Sequence, residues 1–154
     1  MKKNFYIFLL LLFLSSCGYE ALYSIKNKDN YNFSISDLNF IGDREINVKI
    51  KDKLNNYTLK QKEKNFILNI TSNSQKIITS KNITGDATSF QNIITLNIEI
   101  SMNDGFENSF IILEKFNYNN TTNKFDLKTY EKEIKNNLTE TATNKLIFKL
   151  SNIQ

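Results

Sequence analysis

A run of alternating apolar and polar residues between Phe90 and Met102 constrains the fold more than any other feature of the sequence. The polar positions are interrupted once, by Ile93. Alternation with a period of two is typical of a β-strand that has one buried and one solvated face. The chain must therefore build a sheet that is covered on one side. The apolar positions of this strand are Phe90, Ile94, Leu96, Ile98, Ile100 and Met102.

Three further segments are predicted as strands. They run from Phe33 to Ile41, from Phe66 to Ile78 and from Ser109 to Tyr118. The Gly85-Asp86 pair indicates a turn before the alternating strand. Asn103-Asp104-Gly105 indicates a tight hairpin after it, since Asp-Gly accepts the positive φ that such turns need. The three later strands should form an antiparallel meander.

Two segments carry helical periodicity. The apolar residues Ile46, Ile50, Leu54 and Tyr57 recur at spacings of four and three, and Asp43 is the predicted cap. A longer stripe runs from Leu127 to Leu150. We therefore predict an α+β fold: two helices packed on one face of a small mixed, mostly antiparallel four-stranded sheet. The first strand, followed by a helical crossover, should pair in parallel with a later one.

Smaller interactions also follow from the pattern. Glu131 and Lys135 lie one helical turn apart, so they are expected to pair with each other. Five aromatic residues are expected to fill the core rather than to form a ligand platform. They are Phe90, Phe110, Phe116, Tyr118 and Phe125.

Composition excludes several kinds of site. The sequence of 154 residues contains no His and one Cys. A Ser-His-Asp or Cys-His site, a His-ligated zinc and an internal disulfide are therefore impossible. Without Lys2 and Lys3 the net charge falls from +4 to +2. A chain this close to neutral lacks the concentrated basic surface of a nucleic-acid-binding protein. We expect no metal, no nucleic acid and no cofactor other than a covalent lipid.

The N-terminus has the layout of a secretory signal peptide. Lys2 and Lys3 precede an apolar run from Phe5 to Leu14, far shorter than the roughly 20 residues of a membrane span. The sequence Leu14-Ser15-Ser16-Cys17 then resembles the lipobox of bacterial lipoproteins, which implies cleavage before Cys17 and acylation of that residue. The alternative is an ordinary signal peptide with an incidental Cys. The resulting division is a signal peptide (1–16), a lipidated tether (17–32) and an α+β domain (33–154).

Three stretches of the chain carry a resemblance to a known family. They are Cys17-Gly18-Tyr19-Glu20-Ala21-Leu22-Tyr23, Thr84-Gly85-Asp86-Ala87-Thr88, and Phe116-Asn117-Tyr118-Asn119 followed by Phe125 and the closing helix. Together with the order of the elements, they resemble the LPS-assembly lipoprotein LptE family over most of the mature chain. Residues 33–154 are therefore expected to form an LptE-like domain.

The resemblance implies a non-catalytic lipoprotein on the periplasmic side of the outer membrane. It would plug the β-barrel protein LptD, assist its assembly and help to deliver lipopolysaccharide to the outer leaflet. Because barrel lumens are polar, the polar side of the alternating strand supplies candidate barrel contacts: Thr95, Asn97, Glu99 and Ser101. Phosphates of lipopolysaccharide favour cations, so the lipid-contact candidates are Lys76, Lys81, Lys124 and Lys128. Ordinary solvated surface is the simpler explanation for each of these residues.

Two other functions remain open. One is a different outer-membrane lipoprotein, such as an auxiliary subunit of a lipid transporter or of the barrel-assembly machinery. The other is a periplasmic hydrolase that uses carboxylates, which would need a cleft and a carboxyl group of raised pKa. No recognisable pairing supports the hydrolase among its candidate residues, which are Glu99, Asp104, Glu107 and Glu114.

Overall fold

The computed structural model describes residues 32–59 and 61–153. The predicted signal peptide, Cys17 and the tether as far as residue 31 lie outside the described residues. Within the described ranges, no helix combines the length and apolar character needed to cross a membrane.

Four strands form one sheet in the order β1-β2-β3-β4, which is also their order along the chain. Strand β1 pairs in parallel with β2, whereas β2, β3 and β4 form an antiparallel meander. This confirms the predicted mixed sheet, including the parallel pairing of its first strand. The bounds are β1 Phe33–Gly42, β2 Lys64–Lys81, β3 Ala87–Ser101 and β4 Glu107–Asn119.

Two helices connect and follow these strands: α1 (Arg44–Leu54) and α2 (Lys124–Ser151). As predicted, Asp43 caps α1, because its Oδ1 accepts the backbone N–H groups of Glu45 at 3.0 Å and Ile46 at 3.3 Å. Helix α2 begins three residues before the predicted start.

The prediction that Tyr57 continues the first helix is wrong. Helix α1 ends at Leu54, and Tyr57 lies in the 3-10 turn Asn55–Tyr57. Asn55 and Asn56 are poor helix formers, which favours the change. The Tyr57 ring then stacks on Phe33 with ring centroids 5.0 Å apart.

Both helices cover the same face of the sheet, so the hydrophobic core lies between one helical layer and one strand layer. Strand β3 supplies the centre of this core, because Leu96 and Ile98 are almost completely buried. From the helices, Ile50 and Leu146 are buried against them. The predicted α+β class is therefore confirmed, and the opposite side of the sheet is left without a covering element among the described residues. We call that side the open face.

The connection from β1 to α1 passes very close to β2. Gly42 has a φ of +100°, and a Cβ atom at this position would lie 1.9 Å from the carbonyl oxygen of Ser72. The next residue, Asp43, donates its backbone N–H to the same oxygen at 3.2 Å. On the other side of this junction, Ser72 Oγ donates to Asn47 Oδ1 at 2.6 Å. Only glycine allows the chain to turn into the helix at this point.

Candidate functional site

The four candidate barrel-contact residues lie together on the open face. Thr95, Asn97 and Glu99 alternate along β3 and point away from the helices, whereas the residues between them are buried. On β2 their cross-strand partners are also polar, namely Asn73, Thr71 and Asn69 in the same order. Ser101 ends the same row and pairs with Ile67. The centre of the open face is thus a polar strip two strands wide.

Strand β4 adds apolar residues to the open face that the sequence analysis did not assign to a surface. Ile111 pairs with Asn97 and is 64% exposed, and Leu113 pairs with Thr95 and is 53% exposed. The sequence does indicate these exposed apolar residues, because the uninterrupted apolar run from Phe110 to Leu113 breaks the alternation expected of a strand with one buried face. The open face is therefore polar at β2 and β3 and partly apolar along β4.

A shallow depression of about 600 Å³ lies on the open face near the β3–β4 hairpin. It brings together two of the four carboxylates considered for a hydrolase, Glu99 and Glu107. The other two are engaged elsewhere: Asp104 accepts the backbone N–H of Phe106 at 3.0 Å, and Glu114 forms an ion pair with Lys145. No group of three or more Cys, Asp or Glu side chains in the described ranges could hold a metal ion. The depression is lined by Asn69, Glu99, Ile100, Ser101, Glu107, Asn108 and Ser109.

The structure brings the two groups of candidate lysines to the same end of the sheet, although they are far apart in sequence. Lys81 ends β2 and pairs with Ala87 on β3. The carbonyl oxygen of Ala87 accepts from Asn120 Nδ2 at 2.7 Å, and Asn120 Oδ1 accepts from Lys124 Nζ at 3.2 Å. Lys128 follows one turn later on α2. We call this region the lysine end; it comprises Lys76, Lys81, Lys124 and Lys128.

Lys76 differs from the other three because its charge is already compensated within the molecule. Its Nζ forms an ion pair with Glu131 and lies 3.9 Å from the centroid of the Phe90 ring. Glu131 also accepts from the hydroxyl of Tyr118 at 2.9 Å. Burial and then the hydrogen bond to Glu131 raise the pKa of Tyr118. These contacts attach the first half of α2 to the sheet.

The predicted pairing of Glu131 with Lys135 is wrong. Glu131 points to the sheet, as described above, and Lys135 Nζ contacts Asp43 and Glu45, each at 2.8 Å. Burial opposes the charge of Asp43, but the hydrogen bonds from Lys135 and two backbone N–H groups outweigh it and lower the pKa of Asp43. Burial likewise opposes the charge of Lys135, and its two carboxylate partners raise its pKa. Glu131 contacts strands of the sheet and Lys135 contacts the start of α1, so contacts with other elements replace the local pair.

The lysine end also carries exposed apolar side chains. Phe116 is 44% exposed and Phe125 is 78% exposed, so the expectation that both belong to the core is wrong. Phe125 lies in the first turn of α2, two residues before Leu127, which is the first buried residue of the helix. Phe90 and Tyr118 are buried as expected, and Phe110 packs against the core while partly exposed. Cations and apolar groups therefore share one end of the domain.

Comparisons with known proteins give a match in structure and none in sequence. No family model matches the chain, and no curated protein matches it. Rare lipoprotein B from Shewanella oneidensis is similar with a TM-score of 0.53 at 13% identity, covering 76% of this chain and 90% of that chain. A putative lipoprotein from Caulobacter crescentus gives 0.52 at 11% identity, covering 76% and 87%. Lipoprotein B from Nitrosomonas europaea gives 0.55 at 10% identity, covering 79% and 83%. The chain shares the fold of these solved lipoproteins.

Proposed function

We propose that this protein is an outer-membrane lipoprotein, anchored through Cys17 on the periplasmic side, that plugs and helps to assemble an LptD-type β-barrel during lipopolysaccharide transport. It acts by binding rather than by catalysis. The observation that carries the proposal is the shared fold, which extends over 90% of rare lipoprotein B and goes together with a lipobox in the sequence.

The anchor follows from the position of the single Cys. Cys17 stands directly after the apolar run and the small residues Ser15 and Ser16. Stable attachment requires more than one acyl chain, since each buried methylene contributes about 0.8 kcal/mol. Acylation on both sulfur and the new amino group would supply these chains.

The open face is the side that we assign to the barrel. A barrel lumen is polar, and the strip of Thr95, Asn97 and Glu99 beside Asn69 and Thr71 offers hydrogen-bonding groups to it. The helices cover the opposite side and close the core. A sheet whose free side is polar along β2 and β3 suits a plug.

The lysine end is the part that we assign to lipopolysaccharide. Lys81 and Lys124 lie at the same end of the sheet, where Ala87 pairs with Lys81 and bonds to Asn120, and the exposed ring of Phe125 follows Lys124 in sequence. Cations suit the phosphates of the lipid, and apolar side chains suit its acyl chains. Lys76 takes a smaller part, because Glu131 already compensates its charge.

The anchor and the barrel partner are tested together. Tagged full-length protein is extracted from outer membranes and purified, in parallel with Cys17→Ala. We expect the parent protein to bring down one large barrel protein in equal amount and the variant to be lost from the membrane fraction. If the anchored parent protein is purified without any barrel protein, the proposal is contradicted.

The docking side is tested by a photo-crosslinking amino acid at Asn97 on the open face. The matched control places the same group at Lys51, which is exposed on α1. We expect the barrel protein to be captured from Asn97 and not from Lys51. Capture from Lys51 alone would assign the helices, and not the open face, to the barrel.

The lipid contact is tested with Lys81→Glu combined with Lys124→Glu. The control makes the same charge change at Lys49 and Lys51 on α1. Two exposed ionic contacts correspond to about a tenfold change in affinity, so purified lipopolysaccharide should bind the first variant about tenfold more weakly than the control. Equal binding would remove both lysines from the site.

A further inference from the structure

Strand β4 is a long edge of the sheet, and no other strand among the described residues pairs with its outer side. Edge strands expose unpaired backbone groups, and natural proteins blunt them with charged side chains, bulges, proline or short length. Strand β4 runs for 13 residues, and its register with β3 has no shift. The protein contains no proline. Ile111 and Leu113 stand exposed in the middle of this edge.

The other edge of the same sheet is protected. Strand β1 has 10 residues, and its register shifts between Ile35 and Asp37, which marks a bulge. Asp37 places a charge directly after the irregularity. Strand β4 therefore offers a longer and more regular edge for pairing than β1 does.

The hairpin shows which backbone groups of β4 face outward. The N–H of Met102 donates to the carbonyl oxygen of Phe106 at 3.0 Å. Hydrogen-bonded and non-hydrogen-bonded pairs alternate in an antiparallel ladder, so Phe106 and every second residue after it bond to β3. The backbone groups of the residues between them point to the open edge. These residues include Glu107, Ile111 and Lys115.

Charge along this edge is arranged symmetrically around one residue. Glu107 and Lys115 lie four positions before and four positions after Ile111, on the same face of the strand. Neither side chain has a hydrogen bond or an ion pair within residues 32–59 and 61–153. We propose that a second copy of this chain pairs antiparallel with β4 about a two-fold axis through Ile111, so that the two sheets become one continuous sheet.

This register satisfies both faces of the joined strands. On the open face, Ile111 meets its own counterpart, and Glu107 of each copy lies opposite Lys115 of the other. On the helix side, Phe110 lies opposite Ile112. Isologous contact of this kind closes a dimer and leaves no free β4 edge. The pairing requires neither the lipid anchor nor a barrel partner.

Cysteine crosslinking tests the proposal in the full-length protein purified in detergent. Ile111→Cys is treated with a short bis-maleimide, and Ile41→Cys is the matched control. Ile41 is 70% exposed against 64% for Ile111, but it lies on β1 at the opposite edge. The parent chain, which contains Cys17 alone, sets the baseline. We expect crosslinked dimer from Ile111→Cys and only baseline from Ile41→Cys.

Charge exchange then tests the register. Adding Lys115→Glu to Ile111→Cys places like charges opposite each other at two symmetric sites, which should weaken dimerisation about 30-fold, or about 2 kcal/mol. Adding Glu107→Lys as well should restore it, and recovery of this kind excludes a folding defect.

Two outcomes would overturn the proposal. One is equal crosslinking of Ile111→Cys and Ile41→Cys. The other is a dimer that is insensitive to charge exchange.

Discussion

Replacement of Gly42 by alanine should be costly, because the β1–α1 junction combines a positive φ with a close backbone approach. A left-handed backbone costs a residue with a Cβ about 1–2 kcal/mol. The new Cβ would also lie 1.9 Å from Ser72 O, which must then move by at least about 1 Å. That movement weakens the bond from Asp43 N–H to the same oxygen, a loss of about 1 kcal/mol. Gly42→Ala should therefore lower the free energy of unfolding by about 3 kcal/mol.

Gly85→Ala is the matched control for this prediction. Gly85 has a φ of +89°, but a Cβ there would have no neighbour within 4 Å. The control thus carries the backbone cost alone, about 1–2 kcal/mol, and both variants share the stiffening of the unfolded chain. Urea unfolding of the full-length proteins, followed by far-UV circular dichroism, measures the difference. Equal losses for the two variants would refute the steric part of the reasoning.

Three further predictions concern the packing of α2. Lys135→Met should make stability less dependent on pH in acid. In the parent, the lowered pKa of Asp43 adds stability that is lost as pH falls below 3.8, and the variant lacks the lysine that lowers this pKa. Urea unfolding midpoints measured from about pH 6 to about pH 2 report the difference. Leu146→Ala should cost about 3 kcal/mol in urea unfolding, because the side chain is fully buried, and a loss below about 1 kcal/mol would contradict that burial. Tyr118→Phe should cost about 1–2 kcal/mol by removing the donor to Glu131. Because the pKa of Tyr118 is raised in the folded protein, the hydroxyl adds its full stability below pH 10 and loses it as pH rises further. Melting curves at alkaline pH should therefore show a fall in stability from this group in the parent but not in Tyr118→Phe.

The elements that depend on local pattern were predictable from sequence. The alternation around Leu96 identified the central strand and its buried side, and the four-residue spacing around Ile50 identified α1. Asp43 was recognised as a cap because its side chain acts on the next two or three residues. Each of these features is determined within a few residues along the chain, where periodicity and capping are informative.

The predictions that were wrong concern contacts between different helices and strands. Glu131 and Lys135 were paired locally, but the tertiary partners Tyr118 and Asp43 took their place. Phe125 has an aromatic side chain typical of a core, yet it lies exposed in the first turn of α2, where Leu127 is buried instead. Lys81 and Lys124 lie at the same end of the sheet because Ala87 pairs with Lys81 and bonds to Asn120, an arrangement that follows from strand register and not from spacing. Sequence periodicity indicates which side of a helix or strand is apolar, but it does not indicate which residues of other elements that side will contact.

The parallel ladder between β1 and β2 bears on the order in which the protein folds. Ser34 on β1 contacts residues 30 and 31 positions later in the chain, whereas the two hairpins join neighbouring segments. Loop closure over a longer stretch costs more entropy and slows pairing. The meander of β2, β3 and β4 should therefore form before β1 docks. The strand that comes first in the chain would thus be the last to reach its place, and until then the edge of β2 would be open to pairing with other chains.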